Sequence, residues 1–321
     1  MGNKNYKTVN NVGHLIKLKD GKLACTYFKD SQSKYIIEIF TVDFKTELVI
    51  KIYDIINKII QLKNGKLAVY VTPYSNGFND NVLKIISLNE KNYKIEQIFH
   101  YNSPIKILEA QEYIVVNSDF VGFQFLKEDN NKYIPFKTIS LSLHGLLNSI
   151  YLNNEEIICV YYNAIYFINI KEFKISYIFN ISNEDQFIRV SLIRLNKKYA
   201  LISFDWIKGT IYYIIDFLTH QIVSIIKSNV KINSLDKLSN DNIIITKWNH
   251  RKEFSLIFYK YDKFRLKKIK ELPLNIELVH FVEYDQNYLV AYIQQSTWWD
   301  SYSYIGFVNI NNNDNNSPNS K

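Results

Sequence analysis

One ten-residue segment occurs twice in this chain. Leu15-Ile16-Lys17-Leu18-Lys19-Asp20-Gly21-Lys22-Leu23-Ala24 returns as Ile59-Ile60-Gln61-Leu62-Lys63-Asn64-Gly65-Lys66-Leu67-Ala68, with Gly21 and Gly65 44 residues apart. Each copy reads as an apolar strand, a tight polar turn and a second apolar strand. Asp-Gly and Asn-Gly supply the positive φ that a short hairpin needs. A supersecondary unit at such a period points to stacked, repeated β units.

The period runs through the chain. The apolar residue before each first turn is Leu18, Leu62, Leu108, Leu152, Leu195, Leu238 and Tyr284, at steps of 44, 46, 44, 43, 43 and 46 residues. Each of the seven units reads as strand a, turn, strand b, variable loop, strand c, turn and strand d. Later units carry Asn153-Asn154, Asn196-Lys197 and Asn240-Asp241 at the first turn, where Asn and Asp tolerate turn geometry. Strand c commonly ends in an apolar–polar pair: Phe40-Thr41, Ile86-Ser87, Ile168-Asn169, Ile215-Asp216 and Val308-Asn309. Four strands every 44 residues or so is the arithmetic of a β-propeller blade. The expected fold is all-β: a seven-bladed β-propeller of four-stranded blades. The last unit lacks a strand d, and Asn5–Val9 has strand character, so an N-terminal strand is expected to complete the last blade and close the ring, leaving no raw edge. Residues 1–310 are expected to form one domain, and the Asn-rich 311–321 a disordered tail.

The best-matched segment is Gly13-His14, then Leu18-Lys19-Asp20-Gly21-Lys22-Leu23-Ala24, then Ile37-Glu38-Ile39-Phe40. With these residues the chain resembles the WD40-like β-propeller superfamily, over roughly residues 5–310. In that family Gly-His opens a blade and Trp-Asp closes strand c. Here Gly-His occurs once, Trp is replaced by Phe40, Ile86, Ile168, Ile215, Tyr259 and Val308, and only Asp216 keeps the acid. The repeats are therefore degenerate. The resemblance implies a domain that assembles complexes.

Composition excludes several classes. The net charge is +8, but Arg189, Arg194, Arg251 and Arg265 are the only arginines. Nucleic-acid and phosphate readers favour the planar Arg fork, so a Lys-rich soluble surface fits better. Cys25 and Cys159 both lie in apolar strand runs and read as buried free thiols of a reducing compartment. The N-terminal residues have no apolar signal core, and Tyr6 breaks a myristoylation motif at Gly2. No apolar run reaches the ~18 residues of a membrane span. A cytoplasmic protein is expected.

No catalytic constellation is visible. His14, His100, His144, His220, His250 and His280 show no metal-ligand spacing, and Gly21-Lys22 and Gly65-Lys66 lack the rest of a phosphate-binding loop. No enzyme, cofactor or metal is expected. Aromatic residues carry the functional reading. Trp206, Trp248, Trp298 and Trp299 all fall at the end of strand b or in the b–c loop. The longest such loops also carry Tyr302, and Tyr74 with Phe78. In a closed ring, units seven, one and two would gather these on the top rim, rich in Trp and Tyr as interface hot spots are. The alternative for Trp206 and Trp248 is packing between blades. A basic edge of Lys263, Arg265, Lys267, Lys268 and Lys270, beside Lys260, lies on the c–d hairpin and outer strand of unit six. The first reading is a non-enzymatic scaffold, monomeric within a larger complex, binding a protein or peptide on the top rim. The alternatives are a module for an anionic polymer or membrane surface through the basic edge, and a propeller enzyme with its site in the central channel.

Overall fold

The computed structural model describes residues 6–8, 12–29, 34–73, 80–118, 121–140, 146–153, 155–161, 164–181, 189–206, 209–229, 232–248, 254–274, 277–296 and 301–311. These residues form seven four-stranded antiparallel sheets, with no helix among them. Six sheets run a-b-c-d in chain order. Blade one is Val12–Lys17, Leu23–Lys29, Lys34–Phe40 and Thr46–Ile52. Blade two is Ile55–Gln61, Leu67–Thr72, Asn81–Asn89 and Asn92–Tyr101. Blade three is Ile105–Ala110, Tyr113–Ser118, Gly122–Asp129 and Lys132–Ile139. Blade four is Leu146–Asn153, Glu156–Tyr161, Ala164–Asn169 and Lys174–Asn180. Blade five is Arg189–Arg194, Tyr199–Trp206, Gly209–Asp216 and Gln221–Ser228. Blade six is Ile232–Lys237, Asn242–Trp248, Phe254–Asp262 and Arg265–Leu274. Blade seven is Glu277–Glu283, Tyr288–Ser296 and Ser301–Asn309, and its fourth strand is Tyr6–Thr8, paired with Tyr304–Gly306. The architecture is a seven-bladed β-propeller. The blades gather into two compact units, one built on blades seven, one, two and three, the other on four, five and six. The expected tail lies outside the described residues, apart from Asn311.

Burial explains the strand composition. Strand b of blade two, Leu67 to Val71, is buried at every position, because both faces of a blade meet a neighbouring sheet. Leu67, Val69 and Val71 pack against blade one, while Ala68 and Tyr70 pack against blade three. Strand d of the same blade, Asn92–Tyr101, is mostly exposed and carries the polar residues. Clusters of the same kind join blades seven and one, four and five, and five and six. Cys25 and Cys159 are buried and outside any disulfide, as expected, and burial pushes the Cys159 thiol well up.

The repeated segment is architectural. Leu18 N donates to Lys22 O at 2.8 Å and Leu62 N to Lys66 O at 2.8 Å, and Gly21 and Gly65 both sit at φ 85°. The lysine that opens the turn in each copy reaches the next blade. Lys19 N donates to Gln61 Oε1 (2.7 Å) and Lys19 Nζ to Leu62 O (2.7 Å). One blade on, Lys63 N donates to Glu109 Oε1 and Lys63 Nζ to Gln111 O, both at 2.6 Å. The lysine that closes the turn ties strand d: Lys22 pairs with Glu47 at 2.8 Å, Lys66 with Glu96 at 2.9 Å. The polar residue that ends strand c caps the c–d turn. Asn169 Oδ1 accepts from Lys171 N and Glu172 N, and Asn309 Oδ1 from Asn311 N. Asp216 Oδ1 accepts from Leu218 N and Thr219 N, and its other oxygen pairs with Lys198 at 3.0 Å. Burial alone would raise the Asp216 carboxyl, but Lys198 and these amides hold it below its ordinary value.

Blade three departs from the expected alignment. Its first hairpin pairs Ala110 with Tyr113 directly, with Gln111 at φ 54°. Glu109 pairs with Ile114 and accepts from Lys63, as Gln61 pairs with Leu67 and accepts from Lys19. Ala110, not Leu108, is therefore the counterpart of Leu62. The turn has no Asn or Gly to mark it, so the more hydrophobic Leu108 misleads the reading by two residues.

Blade one also holds a buried carboxylate. Glu38, on strand c of blade one, accepts from the Tyr27 hydroxyl at 3.0 Å and from Thr46 Oγ1 at 2.5 Å. Burial and then the Glu38 charge raise the Tyr27 pKa, so the phenol stays a donor. Glu38→Ala leaves that donor in an apolar setting and should cost about 2 kcal/mol. Urea denaturation reads it directly; a change under about 0.5 kcal/mol would show that the network carries no stability.

Candidate functional site

A groove of about 480 Å³ lies between blades two and three. It arises where strand d of blade two ends at Tyr101 and the chain turns through Asn102 and Ser103 into blade three. Strand alternation sets its first wall. Phe99 turns onto the blade-three core, while Ile98 is 50% exposed. Val121, 39% exposed ahead of strand c, and Pro135 on strand d form the opposite wall.

The floor is polar and internally satisfied. Ser103 Oγ and Ser118 Oγ are 2.6 Å apart, and the Tyr101 hydroxyl donates to Gln124 Oε1 at 2.8 Å. Burial raises the Tyr101 pKa, which keeps that hydroxyl protonated. At the lip, His100 Nδ1 is 3.1 Å from Asp80 Oδ1. Asp80 follows directly on the b–c loop that carries Tyr74 and Phe78. An apolar cleft with a few oriented polar groups suits an extended segment with one anchoring side chain. Among the described residues no group of three or more His, Cys, Asp or Glu is placed to hold a metal.

Trp298, Trp299, Tyr74 and Phe78 lie outside the described residues. Tyr302 is placed in strand c of blade seven, its backbone opposite Gln295. Trp206 ends strand b of blade five opposite Gly209 and is half-buried. Trp248 ends strand b of blade six opposite Phe254. These last two belong to the compact unit that lacks Tyr302. The basic edge is on strand d of blade six and its turn, with Lys263, Arg265, Lys267 and Lys268 exposed. Glu271 offsets part of it, pairing with Lys268 at 2.5 Å and lying 3.8 Å from Lys247. Lys270 lies over the Phe258 ring at 4.8 Å, and burial lowers its pKa. Sequence reasoning did not single out Tyr101, Ser103, Ser118 and Gln124. The pattern Tyr101-Asn102-Ser103-Pro104 marks a turn, but nothing in it shows a cleft beside the turn.

No family model matches the chain, and no curated protein matches it. Solved structures do resemble it. A chain of the mitotic checkpoint complex matches with TM-score 0.62 and 10% identity, over 88% of this chain and 85% of that one. The Dos1 propeller matches with TM-score 0.56 and 11% identity, over 94% and 81%. The dihydro-heme d1 dehydrogenase NirN matches with TM-score 0.59 and 12% identity, over 82% of this chain; the chain spans only 57% of that one. At these identities the likeness shows the propeller fold.

Proposed function

We propose that this chain is a non-enzymatic interaction module that takes a peptide segment of a protein partner on the rim of blades two and three. The groove between Ile98, Val121 and Pro135 carries the reading, because it offers apolar walls over a polar floor at loop ends. Likeness to a chain solved within the mitotic checkpoint complex and to the Dos1 propeller supports it. The blade-six edge is the weaker alternative, since Glu271 offsets part of its charge. Peptides selected from a displayed library against the full chain provide the test. Val121→Asp should weaken a selected peptide tenfold or more, about 1.4 kcal/mol, without lowering the melting temperature. Binding that survives Val121→Asp but collapses with Lys267→Gln/Lys268→Gln, or falls steeply with salt, would favour the anionic partner instead.

A further inference from the structure

The corrected hairpin of blade three exposes a register that the repeat otherwise conceals. Four residues before each a–b hairpin marker, strand a carries a polar residue opposite a fixed place on strand b. In blades two and three these are Lys58, opposite Tyr70, and Lys106, opposite Asn117. Blades one and seven place His14 and His280 there. Blades four, five and six place Asn148, Ser191 and Ser234. All basic members of the set thus fall in one compact unit. Strand a is the first strand of its blade, and propeller blades surround a central channel.

Lys58 and Lys106 differ from the lysines of this unit that neutralise a carboxylate. Lys22, Lys66, Lys84 and Lys127 each pair with a carboxylate, at 2.8, 2.9, 2.5 and 2.7 Å. Lys58 and Lys106 have no hydrogen-bond or ion-pair partner among the described residues. Their strands lie against each other. Both side chains are open to water, yet protein crowds Lys58: desolvation first, and then the Lys106 charge, lower its pKa. Two like charges on adjoining first strands, with no carboxylate partner among the described residues, raise the local potential for anions. A doubly charged oxyanion matches both ammonium groups at once, which a single carboxylate does not.

We propose that the inner strands of blades two and three bind a phosphate-class dianion between Lys58 and Lys106. This site is separate from the peptide groove and does not depend on it. The test is a thermal melt of the full chain titrated with inorganic phosphate, with chloride added to hold ionic strength constant. A ligand that binds only the folded chain raises the melting temperature along a saturating curve. The expected result is such a rise, with Lys58→Gln and Lys106→Gln each weakening the apparent affinity at least tenfold. Lys267→Gln/Lys268→Gln should leave it unchanged. Without phosphate, Lys58→Gln should melt no lower than the native chain, since it removes a crowded, repelled charge. No saturable rise, a rise kept by the Lys58→Gln/Lys106→Gln chain, or one lost equally with the blade-six variant would overturn the proposal. So would a Lys58→Gln chain that melts far below the native one without phosphate. Repeating the titration with O-phosphoserine separates the sources. Tighter binding assigns a phosphomonoester carried on a side chain, and equal or weaker binding assigns free phosphate.

Discussion

Replacing Gly209 with alanine should destabilise the protein by about 3 kcal/mol or more, the largest loss expected from one methyl group in this fold. Gly209 opens strand c of blade five at φ 154°. A Cβ there would sit 2.1 Å from the Ser228 carbonyl oxygen and 3.0 Å from the Asn229 Cα. Both atoms are backbone at the end of strand d, so no side chain can swing away. The sheet must open, and the Thr210–Ser228 pairing goes with it. Gly21 and Gly65 are the controls. Both have φ 85°, but nothing lies within 4 Å of an added Cβ. Alanine at either should cost about 1 kcal/mol, from left-handed backbone strain alone. Equilibrium denaturation of the three variants would show the contrast. A Gly209→Ala chain no less stable than Gly21→Ala would mean the blade-five edge is not closely held.

The difference between these glycines shows what was legible in the sequence. Asp20-Gly21 and Asn64-Gly65 announce a local turn, and local backbone chemistry suffices to read it. Gly209 sits in Ile207-Lys208-Gly209-Thr210, with no turn signature, and its role depends on a strand that arrives 19 residues later. Blade count and strand order followed from periodicity, because burial on both faces forces apolar runs at fixed spacing. Side-chain roles did not. Lys19 and Lys63 contact the following blade through bonds that no single repeat contains. Asp216 looked like a remnant of a Trp-Asp signature; in the structure it caps a turn, as Asn169 and Asn309 do at the same place. Aligning blade three on Leu108 put Lys106 two places out of register with Lys58, so their juxtaposition could not be seen until Ala110 was found opposite Tyr113. The groove was hidden for a similar reason. Tyr101 and Gln124 are 23 residues apart in the chain and meet only after two blades have packed.

Removing residues 1–9 should cost about 3 kcal/mol, from three paired backbone positions at roughly 1 kcal/mol each. Tyr6, Lys7 and Thr8 pair with Gly306, Ile305 and Tyr304, and they are the only cover on that edge of strand c of blade seven among the described residues. Ile305 and Ile310 on that strand and its end are buried. Its inner neighbours, Val290 and Tyr292, share a core with Leu15, Leu23 and Phe40 of blade one. Fraying of the uncovered strand would therefore reach blade one through packing. Because an unpaired strand edge templates association, the shortened chain should also aggregate below its melting temperature. Two readouts separate these effects. Denaturation at low protein concentration measures the lost pairing, and light scattering at rising concentration measures the bare edge. An unchanged midpoint together with flat scattering would show that Tyr6–Thr8 contributes neither stability nor edge protection. If the ring closes through this strand, a synthetic peptide of residues 4–10 added to the shortened chain should restore part of the lost stability, in proportion to its concentration.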